Sequence, residues 1–212
     1  MRPGKYEIAG SQAECEPGSR DLVLKNLLGI TDPEEMEEAE SRELVRATGQ
    51  VLDSDQPGHQ FTADDVRYLH RLWLEPIYPW AGEYRSVNVS KDGFPFASAH
   101  AIPTLMKQFE QGPLQEWTPC EGQGPGEHAE ALAVTHAELI LIHPFREGNG
   151  RCARLLALAM SVQAGYGELD FTPMDEDIKG YVDAVHAAMD RDYNPMRSIF
   201  DRVLERSERD AT

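Results

Sequence analysis

The fold class that the sequence predicts is all-α, a helical bundle with one short β-hairpin. Most of the chain falls into segments in which apolar residues recur at helical spacing between capping residues and glycines. One stretch, residues 84–96, alternates with a period of two and contains an Asp-Gly turn, which predicts the hairpin. We therefore expect the helices to supply the core.

The composition suits one globular domain with short extensions. Hydrophobic residues make up 41% and charged residues 27% of the 212-residue chain, which is enough apolar material for a buried core. The formal net charge of -17 repels nucleic-acid phosphates and anionic membrane surfaces. We therefore expect neither nucleic acid nor a membrane as a partner. The charge would favour a basic protein partner, although solubility alone explains it.

The cysteines and the hydropathy pattern indicate a cytoplasmic protein. Cys15, Cys120 and Cys152 have neither the pairing of a disulfide framework nor the spacing of a zinc site. Such cysteine usage fits a reducing compartment. The first 21 residues lack the apolar core of a signal peptide, and no run of 18 apolar residues occurs.

Residues 1–20 are rich in Gly, Pro, Ser and Glu, and we expect them to form a flexible lead-in. A folded domain then covers residues 21–206, and a short tail covers 207–212. A first helix is predicted over residues 22–28, ending near Gly29.

Two stronger helix starts follow. Asp32 before Pro33 predicts a capped helix that runs to Leu52, because a carboxylate and a proline both suit the first turn. Thr62 with Asp65 predicts the start of the next helix, whose apolar face includes Trp73.

Later elements are a helix over residues 102–111, a Gly- and Pro-rich loop over 112–126 and two long helices over 127–142 and 149–164. A last helical region covers residues 175–206, with a possible break at Asn194-Pro195. The chemistry is expected between the two long helices.

The segment between these helices starts with His143, which Pro144 separates from the preceding helix. A histidine can take a proton from a hydroxyl near neutral pH, so His143 is a candidate general base. Glu147 is an acid beside a predicted anion site, and a carboxylate there makes sense as a ligand of Mg²⁺ that bridges phosphate oxygens.

A phosphate site is predicted at the start of the following helix. Gly148 and Gly150 flank Asn149 and let the backbone approach a ligand closely, next to main-chain N–H groups that lack helical partners. Arg151 and Arg154 are three positions apart, so both guanidinium groups can face one polyphosphate. Each feature alone has a commoner structural explanation, a capped helix end, a turn or a solvated face. Their order within 12 residues favours a catalytic site.

The segment His143 to Arg154, HPFREGNGRCAR, resembles the complete signature of the Fic family (Fic/Doc superfamily). Residues 78–85 and the Gly-Phe-Pro-Phe run at 93–96 are similar to the segments that precede this signature in Fic proteins. The start of the first long helix is also similar. The resemblance covers roughly residues 20–205.

This resemblance implies an all-α Fic fold in which a hairpin, the flap, lies beside the signature loop. It implies transfer of AMP from ATP, with Mg²⁺, to a hydroxyl of a target protein. His143 would be the base, Glu147 would hold the metal, and Phe145 would anchor the loop in the core. The remaining implied contacts are with phosphates, by the Gly148 to Gly150 backbone, the Asn149 side chain, Arg151 and Arg154.

The flap, Val89 to Phe96, would hold an extended target segment by strand addition, with Ser90, Lys91 and Phe94 beside it. A peptide could then use the main-chain N–H of Val89.

The inhibitory motif of many Fic proteins, Ser/Thr-x-x-x-Glu-Gly/Asn, has no convincing match. Residues 31–35 have the spacing but precede Met36, and residues 118–122 are one position short. Within the family, this absence implies a toxin-like enzyme restrained by a small separate antitoxin. If the restraint is instead in the same chain, Glu35 and Glu121 are the candidates.

Two alternatives to AMP transfer remain open at this point. The same scaffold can transfer phosphate, UMP or phosphocholine, although the resemblance implies that the phosphotransferase branch has Lys where this chain has Gly148. The second alternative is a catalytically silent module that docks peptides on the flap. It would need neither His143 nor Glu147.

Overall fold

The computed structural model describes residues 7–9, 14–54, 56–91 and 93–210. Within these ranges the fold is a helical bundle with a small antiparallel sheet, which confirms the predicted class. The helices are α1 (Pro33–Leu52), α2 (Ala63–Leu74), α3 (Ile102–Phe109), α4 (Gln115–Trp117), α5 (Pro125–Ile142), α6 (Asn149–Ala164), α7 (Thr172–Glu176), α8 (Ile178–Ala187) and α9 (Asn194–Asp210).

Helices α5 and α6 form the centre of the bundle. Both are apolar on most of their circumference, as expected of helices surrounded by other elements. α5 packs against α6 and α9, while α1 and α2 cover α6 from the other side. The segment between α5 and α6 is therefore held from both ends by buried helices.

The predicted starts of α1 and α2 are confirmed. The Asp32 carboxylate accepts hydrogen bonds from the main-chain N–H groups of Glu34 and Glu35, at 2.9 and 3.1 Å. Thr62 and Asp65 form a reciprocal capping box. These local bonds fix where both helices begin because they satisfy N–H groups that a helix leaves without partners.

The predicted helix over residues 22–28 is wrong. The Asn26 side chain accepts hydrogen bonds from the N–H groups of Leu28 and Ile30 and donates to the carbonyls of Leu24 and Ile30. An asparagine that bonds its own neighbourhood in this way offers the backbone an alternative to the helical ladder. The segment therefore folds as turns.

Two other boundaries differ from the prediction. Residues Glu110–Leu114 form a π-helical turn that continues α3 into α4, although a loop was expected from residue 112 onward. The last helical region is three helices, and Asn194-Pro195 begins α9 rather than interrupting a longer helix. Proline suits that first turn, since its missing N–H would have no helical partner.

The sheet has one strand more than the predicted hairpin. β2 (Asn88–Lys91) and β3 (Phe94–Pro95) form the hairpin, with Asp92 of its turn outside the described residues. A third strand, β1 (Glu7–Ala9), pairs antiparallel with the other edge of β2, with Ile8 opposite Val89. The predicted lead-in thus contributes a strand, while its residues 1–6 and 10–13 lie outside the described ranges. Residues 207–210 of the predicted tail belong to α9, and 211–212 also lie outside. The division into lead-in, domain and tail stays a prediction.

No helix in the described ranges combines the length and apolar character needed to cross a bilayer.

Four histidines in the described ranges are buried and held neutral. Burial lowers the pKa of His70 and His128 to about 4, and that of His136 and His143 to about 3. An unfolded histidine titrates near 6.5. The native state therefore binds fewer protons than the unfolded state between pH of about 4 and 6.5.

The free energy of unfolding should consequently fall as the pH drops through this window. We expect a loss of about 1 kcal/mol for each buried histidine between pH 7.5 and 5.5. Urea unfolding at the two pH values measures it. A free energy of unfolding that is unchanged at pH 5.5 would contradict the burial of neutral histidines.

Candidate active site

A cavity of about 890 Å³ opens beside the segment that joins α5 to α6. Its wall is formed by α1, residues 22–24, the hairpin, the facing ends of α5 and α6, and α8. Among the predicted site residues, those that line it are His143, Glu147, Gly148, Gly150, Arg151, Arg154, Lys91 and Phe94. The structure therefore gathers most of the predicted site around one cavity.

His143 ends α5 in a left-handed conformation, with φ 53° and ψ 60°. The residue is 4% exposed, and its ring stacks on Phe96 at a centroid distance of 3.7 Å. The ring atom Nδ1 lies 3.1 Å from the carbonyl oxygen of Ile140, which can only accept. The neutral ring therefore carries its proton on Nδ1, and Nε2 holds the lone pair that a general base needs.

The loop after His143 is closed by its own side chains. Phe145 is fully buried and stacks on His70 at 3.8 Å, so its predicted anchoring role is confirmed. The Asn149 amide accepts from the N–H of Phe145 and donates to its carbonyl, both at 2.8 Å. Asn149 thus shapes the loop from a buried position, which differs from the phosphate contact predicted for its side chain.

Gly148 lies directly on the indole of Trp73. A Cβ at Gly148 would be 2.5 Å from the Trp73 ring, and the residue has a φ of +81°. A side chain is therefore excluded here both by packing and by backbone conformation. At Gly150 the situation differs, since a Cβ there would meet nothing within 4 Å.

The start of α6 presents main-chain N–H groups to the cavity. Gly148 is the N-cap and has no side chain to cap the helix. The N–H groups of the first turn have no carbonyl one turn back, and they carry the positive end of the helix dipole. Gly150 and Arg151 of this turn line the cavity, which suits an anion such as phosphate, while the Gly148 N–H already donates to Oε1 of Glu147 at 2.9 Å.

Glu147 and Arg151 belong to a chain of three charges. Nη2 of Arg151 lies 2.7 Å from Oε2 of Glu40 and 3.3 Å from Oε1 of Glu147. The guanidinium also lies over the Trp73 ring, at 4.4 Å from the centroid. A phosphate contact by Arg151 would have to use its other N–H groups.

Glu147 has the chemistry of a Mg²⁺ ligand, a largely buried carboxylate at the edge of an anion site. The described residues contain no group of three acidic, histidine or cysteine side chains that could hold a metal on their own. The residues therefore fit an ion that shares its ligands with bound phosphates, as Mg²⁺ usually does.

Arg154 forms a two-pronged ion pair with Asp175 of α7. Its Nη1 and Nη2 atoms lie 3.1 and 2.6 Å from the two carboxylate oxygens. Both residues line the cavity. Arg151 pairs with Glu40, and Arg154 pairs with Asp175. Neither Glu35 nor Glu121 is the carboxylate at these two arginines.

The flap forms one wall of the site through its aromatic residues. Phe96 stacks on His143, and Phe94 stacks on His186 of α8 at 4.8 Å. Val89 is buried, and its carbonyl accepts from the N–H of Phe96. Because main-chain polar groups of one residue point the same way, the Val89 N–H faces β3 and not an incoming peptide. Asn88 and Ser90 face the edge that β1 occupies.

Two residues that the sequence analysis gave no role connect the loop to its surroundings. The buried Arg85 side chain donates to the carbonyls of His143, Val87 and Ala97, so it joins the hairpin to the base. His70 accepts from the N–H of Gly82 and lies 3.1 Å from the Glu147 carbonyl.

The glycines of the loop give a test of this geometry. Gly148→Ala should lower the free energy of unfolding by about 2–4 kcal/mol, for two reasons. The new methyl group would overlap the Trp73 ring, and alanine is strained in the left-handed backbone conformation of this residue. Gly150→Ala is the control, and it should keep or slightly raise stability, since alanine favours the helix. Equal stability of the two variants in urea unfolding would show that the loop does not rest on Trp73 in this way.

Comparisons with known proteins point to one family. Residues 60–161 match the model of the Fic/DOC family. The protein adenylyltransferase VbhT of Bartonella schoenbuchensis is 31% identical over 144 residues, which are 68% of this chain and 30% of that protein. The probable protein adenylyltransferase y4lH of Sinorhizobium fredii is 28% identical over 90% of this chain and 94% of its own length.

A solved structure agrees with these relatives. The BepC protein of Bartonella tribocorum, a VirB-translocated effector with bound AMPPNP, is 26% identical and superimposes with a TM-score of 0.70. The match covers 85% of this chain and 91% of that one. Fold, signature and relatives agree, and residues 60–161 of this chain form a Fic/DOC family domain.

Proposed function

We propose that this chain is a protein adenylyltransferase that transfers AMP from ATP, with Mg²⁺, to a hydroxyl side chain of a target protein. The observation that carries the proposal is the position of His143. Its Nδ1 is tied to Ile140, which leaves Nε2 as the ring's proton acceptor, and His143 lines the same cavity as the start of α6. The relatives named protein adenylyltransferases support the same activity.

The reaction follows from this arrangement. His143 takes the proton of the target hydroxyl while the hydroxyl oxygen attacks the α-phosphorus of ATP. The bond from that phosphorus to the oxygen bridging the α- and β-phosphates breaks, and pyrophosphate leaves. The N–H groups of α6 and the guanidinium of Arg154 stabilise the phosphates. Mg²⁺ held by Glu147 would neutralise charge on the phosphate oxygens.

A silent peptide-binding module would need neither His143 nor Glu147, yet both line the cavity beside the start of α6.

The site also suggests how the activity is controlled. Arg154 must leave Asp175 before it can bind a phosphate, since that carboxylate takes both of its terminal nitrogens. A separate small antitoxin remains part of this proposal. Such a partner would present its carboxylate to Arg154 in place of Asp175.

The target is proposed to dock on the flap as an added strand. In the described structure the outer edge of β2 is paired with β1 of the same chain. The free edge of β3 is a poor alternative, because Pro95 has no N–H to donate. A target strand would therefore compete with β1 for the edge formed by Asn88 and Ser90.

Labelled ATP tests the proposed activity. The purified protein, added to a cell lysate, should label target protein from α-labelled ATP and not from γ-labelled ATP. His143→Ala should reduce the labelling rate by ~10²–10⁴ without loss of ATP binding, because only the base is removed. Label from the γ-position would indicate phosphotransfer. Absence of label from both would indicate a binding module.

Competition at the flap has its own test. The register places Ala9 of β1 opposite Asn88 of β2. The main-chain N–H and carbonyl groups of Ala9 point toward β2. Ala9→Pro removes one N–H from this pairing, so target labelling should rise by a few-fold. Ile8→Pro is the control, since its N–H faces away from β2. A fall in labelling with Ala9→Pro alone would mean that β1 completes the dock instead of competing for it.

A further inference from the structure

Glu40 is a buried carboxylate that no motif in the sequence singles out. It lies in the middle of α1, outside the matched residues 60–161, and is 7% exposed. A buried acid is costly unless it is paired and hydrogen-bonded, so its contacts indicate what it does.

Every acceptor of Glu40 is used at the active site. Oε2 accepts from Nη2 of Arg151 at 2.7 Å, and Oε1 accepts from the Tyr78 hydroxyl at 2.8 Å. Its main-chain oxygen accepts from the indole N–H of Trp73 at 2.9 Å. Trp73 is the ring on which Gly148 rests, so one residue of α1 supports both the loop and its arginine.

The negative charge of Glu40 also affects how Arg151 interacts with Glu147. Two carboxylates, Glu40 and Glu147, share the single guanidinium of Arg151, and the shorter contact is with Glu40. Without the charge of Glu40, the guanidinium would pair with Glu147 alone. That pair would draw the Glu147 carboxylate away from any ligand in the cavity, because a closer ion pair is a stronger one.

We propose that Glu40 is a positioning residue that holds Arg151 on α1 and thereby keeps Glu147 available to Mg²⁺ bound with ATP. The inference rests on the proposed function, because it assigns Glu147 to that ion. It extends the site to a helix that carries none of the signature. A partner of a metal ligand in this position commonly changes metal affinity when it is replaced.

The test compares ATP affinity with and without Mg²⁺, measured by calorimetry on the full chain. In Glu40→Gln the gain in ATP affinity that Mg²⁺ provides should fall about tenfold, while the affinity without Mg²⁺ stays near that of the wild type. Glu38→Gln is the matched control, an exposed acid on the same helix that lies outside the cavity lining. It should keep the full gain.

A second variant keeps the test open if Glu40→Gln does not fold. Tyr78→Phe removes only the hydroxyl that holds Oε1 of Glu40 and changes no charge at neutral pH. It should reduce the Mg²⁺-dependent gain by a few-fold. Wild-type gain in every folded variant at Glu40 and Tyr78 overturns the inference. So does a wild-type protein whose ATP affinity does not respond to Mg²⁺.

These outcomes are separate from a failure of the proposed function. If the wild type binds ATP more tightly with Mg²⁺ but labels no target from α-labelled ATP, the transfer reaction is wrong and the binding test still judges Glu40. If it labels targets and Glu40→Gln keeps the full gain, the reaction stands and the role of Glu40 falls.

Discussion

The site depends on how closely the loop after α5 approaches the indole ring of Trp73. That approach requires a glycine at position 148, because a Cβ would meet the ring at 2.5 Å. The same ring lies under the Arg151 guanidinium and donates its N–H to Glu40. The Trp73 side chain of α2 thus contacts the loop at Gly148, the guanidinium of Arg151 and the main chain of α1 at Glu40.

The charges of the site are balanced within the chain. Arg151 lies between Glu40 and Glu147, and Arg154 is paired with Asp175. The two pairs differ in their surroundings. The Glu40 side chain is 9% exposed, whereas the Asp175 side chain is 63% exposed. A pair open to water is easily exchanged and a buried one is not, because breaking the buried pair leaves a charge uncompensated. The site therefore combines one fixed arginine with one that a phosphate can recruit.

Local signals in the sequence predicted the fold well where the cause is local. The caps at Asp32 and Thr62 predicted the starts of α1 and α2, and the signature brought its chemistry together because its residues are consecutive. The Asn26 turn was missed, since the choice between helix and side-chain bonding depends on a few competing hydrogen bonds. The strand β1 was missed because a three-residue strand has no recognisable period and forms only on an existing edge.

Long-range pairs could not be predicted from the sequence. Glu40 is 111 positions from Arg151 and stands among several acids of α1, so no spacing distinguishes it. No sequence pattern distinguishes Asp175 either, because only the folded position of the short helix α7 brings it to Arg154. Arg85 lay within a segment of recognised resemblance, but its bonds to the carbonyls of the loop depend on the folded hairpin.

In the proposed complex, ATP binds over the start of α6 and recruits Arg154 while Arg151 stays on Glu40. A crystal structure of His143→Ala with ATP and Mg²⁺ tests it directly, because this variant should bind ATP without transferring AMP. We expect phosphates on the N–H groups of Gly150 and Arg151, Arg154 released from Asp175, and the Arg151–Glu40 pair intact. Phosphates bound elsewhere, or Arg151 moved from Glu40 to the phosphates, would contradict it.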